Sequence, residues 1–343
     1  MGDALWKLQR ALLFALPPET AHHLGMWRLR VSDGAERPPD HPSLASTVAG
    51  LSFPSPVGLA AGLDKNAEGV AGLFGLGFGF VEVGTVTPRA QPGNPRPRVF
   101  RIPEHEALIN RLGFNNEGAE AMAARLALLT FRPGPLGINL GKNKDTPLEA
   151  AADDYQKAAS VLAPFADYLV INLSSPNTPG LRTLQEPEAL EKIVRATLGE
   201  ARGKPVFVKI APDLEDEAVD AAVDVIAGSG AKGLIATNTT LARPFTHPRC
   251  GEAGGLSGRP LAARSTAVVK RAFRRAQGRL PIIGVGGVFD AEGAWEKLRA
   301  GASLVQLYTG FIYGGPGAPR RIVDGLAAKL GSQKLADVIG SDA

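Results

Sequence analysis

The stretch DYLVINLSSPNTPGLRTLQ runs from Asp167 to Gln185. Its apolar part, Tyr168, Leu169, Val170 and Ile171, shows no polar alternation. It therefore reads as a strand buried on both faces, as in a parallel sheet wrapped by helices. The run then stops, and Asn172, Ser174, Ser175, Asn177 and Thr178 follow at once, with Pro176 and Pro179 restricting the loop backbone. A core strand that delivers small hydrogen-bonding groups into a stiffened loop is expected where the C-terminal end of a strand carries chemistry.

The same kind of run recurs at SPVGLAAG (55–62), FVEVGTV (80–86), PLGINLG (135–141), PVFVKIA (205–211), GLIATNT (233–239), PIIGVGG (281–287) and LVQLYTG (304–310), making eight with DYLVINL (167–173). Between them lie helical patterns such as NEGAEAMAARLALL, TPLEAAADDYQKAASVLAPF, PEALEKIVRATLGEA and LEDEAVDAAVDVIAG. Pro147, Pro187 and Pro260 stand where a first helical turn begins. Eight βα units predict an α/β fold, a TIM-type (β/α)8 barrel with an N-terminal helical extension. An open doubly wound sheet is the rival, and the even distribution of the units favours closure. Residues 1–45 read as two short helices broken at Pro17-Pro18. Residues 88–113 and 240–259 are long excursions after the second and sixth strands, on the face where barrels place their sites.

At 343 residues, 44% of them hydrophobic and 21% charged, the chain can bury one large core and form a single barrel domain. A net charge of +4 is compatible with an anionic ligand, an anionic membrane or RNA. Cys250 is the single cysteine, which excludes an internal disulfide and fits a reducing compartment. The histidines (His22, His23, His41, His105 and His247) show no metal-ligand spacing, so no metal is expected. No apolar run reaches the roughly 18–20 residues of a membrane span, and the N-terminus lacks the features of a signal peptide.

The strand ends supply Lys65, Thr85, Asn139, Asn172, Lys209, Thr237 with Asn238, Gly286-Gly287, and Tyr308 with Thr309. One polar residue at a strand end reads as a local cap. The same at every strand predicts a ring of donors and two cations around one cavity. The seventh and eighth loops, GVGGVFD and YTGFIYGGPG, are glycine-rich, and such turns cradle phosphate with backbone N–H groups. Either alone reads as a tight turn; together they point to a mononucleotide cofactor, FMN, with Lys209 placed to stabilise an anionic reduced flavin. Asn110, Asn172, Asn177 and Asn238 fall on the same face. An amide offers donor and acceptor together, matching a ring of alternating N–H and C=O such as a pyrimidine, although each asparagine alone also serves as a turn former. Lys65 and the backbone around Gly113 are placed to hold an anionic substituent.

On these residues the chain resembles the dihydroorotate dehydrogenase family, in its quinone-linked class 2 form. The motifs AAGLDKN, VGTVTPRAQPGNPRPRVFR, LINRLGFNN, GINLGKNKDTP, INLSSPNTPGLRTLQ, VKIAPDL, IATNTT, GGLSGRPL, PIIGVGG and GASLVQLYTGF carry the likeness in order over nearly the whole chain. The resemblance implies that FMN is held by Ala61, Gly62, Leu63, Asp64, Lys65, Thr85, Asn139, Asn172, Lys209, Thr237, Gly258, Gly287, Tyr308 and Thr309. It implies that dihydroorotate, and orotate as product, are held by Lys65, Asn110, Arg111, Leu112, Gly113, Phe114, Asn172, Asn177, Asn238 and Thr239. It makes Ser175 the catalytic base in a step of pyrimidine (UMP) biosynthesis. A proton leaves C5 of dihydroorotate and a hydride passes from C6 to the flavin, in a closed site with Thr178 and a water as a relay for the serine proton. Class 1 relatives typically use cysteine as base; Cys250 lies in the sixth excursion and is read as structural.

Residues 4–16 place Leu5, Leu8, Leu12 and Leu16 on one stripe, with Trp6 and Trp27 beside Lys7, Arg10, Arg28 and Arg30. The pattern fits a helix on a membrane surface, or a helix pair packed on the barrel. The resemblance implies the membrane reading: a peripheral protein at the cytoplasmic face of the cell membrane, taking ubiquinone or menaquinone through a tunnel lined by His22, Arg101 and Tyr308. Residues 1–45 are accordingly expected to form a membrane and quinone-access segment, and 46–343 the FMN-binding barrel. No nucleic acid and no obligate protein partner are expected. Other FMN barrels fit less well: a tRNA dihydrouridine synthase needs a cysteine on the active face, and a 2-hydroxy-acid oxidase a histidine at a late strand end. The non-enzymatic rival is a membrane-attached binding barrel.

Overall fold

All eight expected runs form strands, and they close into a parallel barrel. The protein is described by a computed structural model over residues 3–32, 41–130 and 132–343; residues 1–2 and 33–40 of the segment expected over 1–45 lie outside the described residues. In chain order the strands are β1 (Ser46–Val48), β2 (Leu51–Phe53), β3 (Val57–Leu59), β4 (Phe80–Val86), β5 (Val99–Ile102), β6 (Ala107–Asn110), β7 (Leu136–Leu140), β8 (Tyr168–Asn172), β9 (Val206–Ile210), β10 (Gly233–Ala236), β11 (Gly255–Gly258), β12 (Ile282–Val285) and β13 (Leu304–Leu307). The barrel order is β10-β12-β13-β3-β4-β7-β8-β9, with β9 pairing back to β10.

Side chains alternate along each strand, so every second residue enters the barrel. Val81 and Val83 of β4, Leu169 and Ile171 of β8, and Val206 and Val208 of β9 pack outward against the helices. Their neighbours point inward. Phe80, Tyr168, Phe207 and Leu304 form an apolar plug at the N-terminal end. Glycine makes room for it: a Cβ on Gly58 would lie 2.3 Å from the Phe80 ring, and one on Gly137 2.2 Å from Tyr168. The β1–β2 hairpin closes this end, with Phe53 edge-on to Phe80 at 5.2 Å. Two residues further along, the inward positions of β4, β9 and β13 turn polar, to Glu82, Lys209 and Gln306, while that of β8 stays apolar as Val170. The alternation that seals one end of the barrel thus builds a polar layer toward the other.

The two excursions, expected as loops, contain strands. β5 and β6 come from 88–113 and β11 from 240–259, and they form an antiparallel sheet in the order β11-β6-β5. Each strand has four residues; β5 and β6 pair as a local hairpin, whereas β11 reaches β6 only through the folded barrel, with Gly255 opposite Asn110 and Gly258 opposite Ala107. A pairing that spans some 150 residues of chain leaves no local periodicity to read.

The N-terminal segment forms the expected helix pair, α1 (Asp3–Ala15) and α2 (Pro18–Arg30), parted at Pro17-Pro18. Both dock on the site end of the barrel. Trp6 Nε1 and Arg10 Nη1 donate to the Tyr313 carbonyl at 2.9 and 3.1 Å. Arg98 donates to the Glu19 carboxylate at 2.8 Å. Met26 is buried, and the Leu29 backbone packs so closely on Gly72 that a Cβ there would lie 2.3 Å from the Leu29 carbonyl oxygen. The opposite face stays open: Leu5, Leu8, Leu12, Leu24, Trp27 and Val31 are all exposed, Leu12 at 67%. Among the described residues no helix is long and apolar enough to cross a membrane.

Candidate active site

The site is built upward from a carboxylate. Glu82 is fully buried and accepts from Asn139 Nδ2 at 2.8 Å and from Gln306 Nε2 at 2.7 Å. A carboxylate only accepts, so both amides must turn their NH₂ groups toward it. Asn139 Oδ1 then faces the next layer, where it accepts from Thr85 Oγ1 at 2.5 Å and Asn172 Nδ2 at 3.1 Å. Asn172 Oδ1 faces onward in turn and accepts from Ser174 Oγ at 3.0 Å and Asn238 Nδ2 at 3.2 Å. Tyr155, from the helix Ala151–Leu162, steadies Asn172 from outside by donating to its carbonyl at 2.9 Å.

Above this layer the barrel opens into a cavity with about 920 Å³ of empty space, part of it continuous with solvent. Of the expected cofactor residues, Ala61, Gly62, Lys65, Thr85, Asn172, Lys209, Thr237, Gly258, Gly287, Tyr308 and Thr309 line it. Of the expected substrate residues, Asn110, Leu112, Gly113, Phe114, Asn177, Asn238 and Thr239 line it, and so does Ser175. Six expected residues are not on its wall. Asn139 lies one layer beneath, fixing Thr85 and Asn172. Leu63 is packed in the core. Asp64 is turned into its own loop, where it accepts from the N–H groups of Glu68 and Gly69; burial nevertheless raises its pKa. Arg111 is drawn outward to Glu252 at 2.7 Å and over the Phe100 ring. Arg101 donates to the Phe14 and Leu16 carbonyls at 3.2 and 2.7 Å, tying down the end of α1. His22 is half-buried and close enough to Lys65 to feel its charge. Burial, with Lys65 and His23, lowers the imidazole to about 3, so it is neutral at physiological pH.

Two ammonium groups on the wall lack partners. Neither Lys65 Nζ nor Lys209 Nζ has a hydrogen-bond or ion-pair partner among the described residues. Burial lowers both pKa values. That of Lys65 falls to about 8, helped by Arg98 and opposed by Asp64 and Glu19; for Lys209, Glu82 opposes the fall. Thr239 Oγ1 is also buried without a partner. At the far side, the N–H groups of Gly287, Val288, Thr309 and Gly310 find no backbone acceptor among the described residues. Gly286 and Gly287 sit at φ 118° and 73°, where glycine alone is at ease. Cations, an orphan hydroxyl and open N–H groups facing one cavity fit a ligand with an anionic end and several polar atoms. A flavin phosphate and a carboxylate-bearing pyrimidine meet that description.

The loop carrying Ser175 is held from several sides. Asn177 N donates to Ser175 Oγ at 3.2 Å, and Asn177 Nδ2 to Asn110 Oδ1 at 3.2 Å. Arg182 ties this loop to the one after β10, donating to the Ser174 carbonyl at 3.0 Å, the Thr239 carbonyl at 2.7 Å and Asp213 at 2.7 Å. β11 presses down on both loops: a Cβ on Gly255 would lie 1.9 Å from Thr239 Oγ1 and 3.1 Å from Pro176. Thr178 is buried but does not line the cavity. Sequence reasoning missed Glu82, Gln306, Tyr155 and Arg182. For Glu82 a signal existed, since a carboxylate in the otherwise apolar run FVEVGTV asks for buried partners. The others depend on contacts made only in the fold.

A family model for dihydroorotate dehydrogenase matches residues 43–330. The chain is 58% identical to the dihydroorotate dehydrogenase (quinone) of Anaeromyxobacter dehalogenans, over 98% of this chain and 97% of that one. It is likewise 58% identical to that of Myxococcus xanthus, over 98% of each, and 50% identical to that of Deinococcus radiodurans, over 98% of this chain and the whole of the other. Among solved structures it is similar to DHODH from Eimeria tenella in complex with ferulenol. That likeness has a TM-score of 0.89 and 42% identity, covering 96% of this chain and 98% of that one.

The orphan hydroxyl gives a stability test. A buried hydroxyl without a partner costs about 1–3 kcal/mol, so Thr239→Val should stabilise the ligand-free protein by up to that amount while weakening ligand binding. Denaturant titration of the ligand-free protein reads it, and a lower midpoint in the variant would show that the hydroxyl is satisfied.

Proposed function

The chain belongs to the dihydroorotate dehydrogenase family, and from that premise we propose how its site works. The reaction is the oxidation of dihydroorotate to orotate in pyrimidine biosynthesis, with a quinone as electron acceptor, and it depends on a flavin. We assign FMN as that flavin, with its phosphate at Gly258, Gly287 and Thr309 and its ring system along Lys209, Thr85 and Asn172. The observation that carries this reading is the pair of unpartnered ammonium groups, Lys65 and Lys209, on one wall with the open N–H groups of Gly287 and Thr309. Bound there, the flavin supplies the acceptor for the hydride that leaves C6 of the substrate.

The remaining steps fall to side chains. Lys65 and the loop from Asn110 to Phe114 hold the substrate carboxylate, and Asn177 and Asn238 pair with the ring amides. Asn172 orients both ligands mainly through the chain that starts at Glu82, since both its amide hydrogens are committed to Thr85 and Asn139. Ser175 Oγ takes the proton at C5 as its own hydroxyl proton passes to a water and on through Thr178 to solvent. The β11 sheet closes over the Ser175 loop. The helix pair α1–α2 serves as the quinone entrance, with His22, Arg101 and Tyr308 around it. Its exposed Leu8, Leu12 and Trp27, flanked by Lys7, Arg28 and Arg30, suit peripheral attachment to the cytoplasmic face of the membrane.

Ser175→Ala should keep its flavin but reduce it about 10²–10⁴-fold more slowly, the usual scale for a general base. Stopped-flow reduction by dihydroorotate at the wild-type rate would remove the serine from this role.

The Lys65 ammonium predicts a pH profile for orotate binding. In the free protein it is charged below about 8 and neutral above. A bound carboxylate needs the charged form, so above that pH each orotate must bring a proton with it. The dissociation constant should be level below about pH 8 and climb about tenfold per unit above it, while Lys65→Arg stays level. A level wild-type profile up to about pH 10 would detach the carboxylate from Lys65.

Deleting residues 1–32 should separate the half-reactions. Dihydroorotate should still reduce the flavin, because the residues assigned to it begin at Ala61. Turnover with a long-chain quinone should collapse while a small soluble acceptor still works. Liposome binding should weaken with loss of the basic residues, each contributing about 1 kcal/mol on an anionic surface. Unchanged long-chain quinone turnover in the truncated protein would return the helices to a packing role.

A further inference from the structure

We propose that Lys297 is a positioning residue for the anionic end of the cofactor, acting through Ser265 and the Gly286–Gly287 peptide; this rests on the FMN reading above. Lys297 stands on the helix Ala291–Arg299 behind β12 and is 1% exposed. Its Nζ donates to Ser265 Oγ at 2.6 Å, Thr266 Oγ1 at 2.6 Å and the Ala262 carbonyl at 3.2 Å. That uses all three donors without a carboxylate, and Lys297 has no ion-pair partner among the described residues. A Cβ on Gly284 would lie 3.2 Å from the lysine Cδ, so a bare stretch of β12 gives the stem its room. Burial lowers this ammonium to about 7, which marks it as a group short of negative charge. A core position with only packing to do would be served better by leucine or methionine.

The acceptors explain what the charge does. In its charged form the lysine only donates, so Ser265 Oγ then accepts from it and passes its single proton on. Ser265 Oγ lies 2.9 Å from the Gly286 carbonyl and 3.1 Å from that of Ala262, and the latter already receives Lys297. The Gly286 carbonyl is thereby drawn toward the helix Ala262–Ala276. In a planar trans peptide the N–H of the next residue points the opposite way. The Gly287 N–H is thus turned away from the helix, toward the cavity that Gly286 and Gly287 line, and it has no backbone acceptor among the described residues. Gly287 packs directly on the start of that helix, since a Cβ on it would lie 2.4 Å from the Ala262 Cα, so the peptide can approach the helix no further. The ammonium therefore fixes the direction of an N–H at the phosphate end, polarises it through the serine, and adds a positive field behind it.

The test compares FMN with riboflavin, which lacks the phosphate, on flavin-free protein, with flavin fluorescence as the readout. Wild type should prefer FMN. Lys297→Met and Ser265→Ala should each lose about 10- to 100-fold in FMN affinity, the span of one charge-assisted hydrogen bond, with less than about a threefold change for riboflavin. Retained riboflavin binding shows that a variant is folded, and Ser265→Ala decides the matter if Lys297→Met does not fold. A wild-type preference for FMN that survives in the folded variants overturns the inference alone. A wild type that binds both flavins equally overturns the FMN reading and the inference with it.

Discussion

The site depends on one carboxylate in a place where charge is expensive. Glu82 sits inside the barrel, just above a plug of aromatic rings, with no salt bridge among the described residues, although it is near enough to Lys209 for the two charges to interact. Burying such a group is tolerated only when its lone pairs are well occupied, and here two amides occupy them. Because a carboxylate cannot donate, it removes the ambiguity that attends every buried asparagine or glutamine. Asn139 must face down, Asn172 must present its oxygen upward, and Ser174 and Asn238 must donate to it. An amide in place of Glu82, able to donate as well as accept, would permit the whole stack to flip. The polarity of the wall is thus set from below, by a residue that does not line the cavity.

The polar groups fall into two populations divided by height. Those below the cavity floor mostly satisfy one another, the Tyr168 hydroxyl and Gln306 Oε1 being without a partner among the described residues. Those on the wall keep unused capacity: two ammonium groups, the Thr239 hydroxyl and several backbone N–H groups. Leaving them open weakens the ligand-free protein and strengthens the complex, the usual exchange at a binding site. The rigidity that makes this possible comes from outside the barrel. Arg182 ties the loops after β8 and β10 together, and β11 rests on both through a glycine that admits no side chain.

Legibility in the sequence followed the range of the interactions. The eight barrel strands were legible because each carries its own apolar run, and burial on both faces leaves a strong local mark. The strand-end polar residues were legible because a parallel barrel puts every strand terminus on one face, so topology alone brings Thr85, Asn172, Lys209 and Thr237 to one cavity. Asn139 was misplaced by one layer, since sequence shows that a residue ends a strand but not how far the floor reaches up. Asp64 and Arg111 stand off the wall although each lies in a motif whose other members line the cavity, because their own side chains turn to a local turn and to Glu252. The β11-β6-β5 sheet was not legible: β5 and β6 form a hairpin of strands only four residues long, and β11 pairs with β6 across the chain, with no signature apart from the fold that joins them.

The barrel order separates the two ends of the proposed electron path. β13 and β8 stand four strands apart in a ring of eight, so Tyr308 and the Ser175 loop face each other across the cavity. The helix pair does not lie symmetrically over this opening. α1 is fastened to the segment after β13, through Trp6 and Arg10 on Tyr313, and α2 leans on the segment after β3, through Leu29 on Gly72. The Ser175 loop is covered instead by β11 and pinned by Arg182. On the proposed reading, substrate and quinone approach from opposite edges, with the flavin between them, and neither route crosses the other. That arrangement follows from which strands the extra segments attach to. An N-terminal helix pair tied to β8 or β9 would have covered the catalytic loop, whereas this one is tied to the segments after β13 and β3 and to β5, on the side where a Cβ on Gly62 would lie 3.1 Å from the Tyr308 ring.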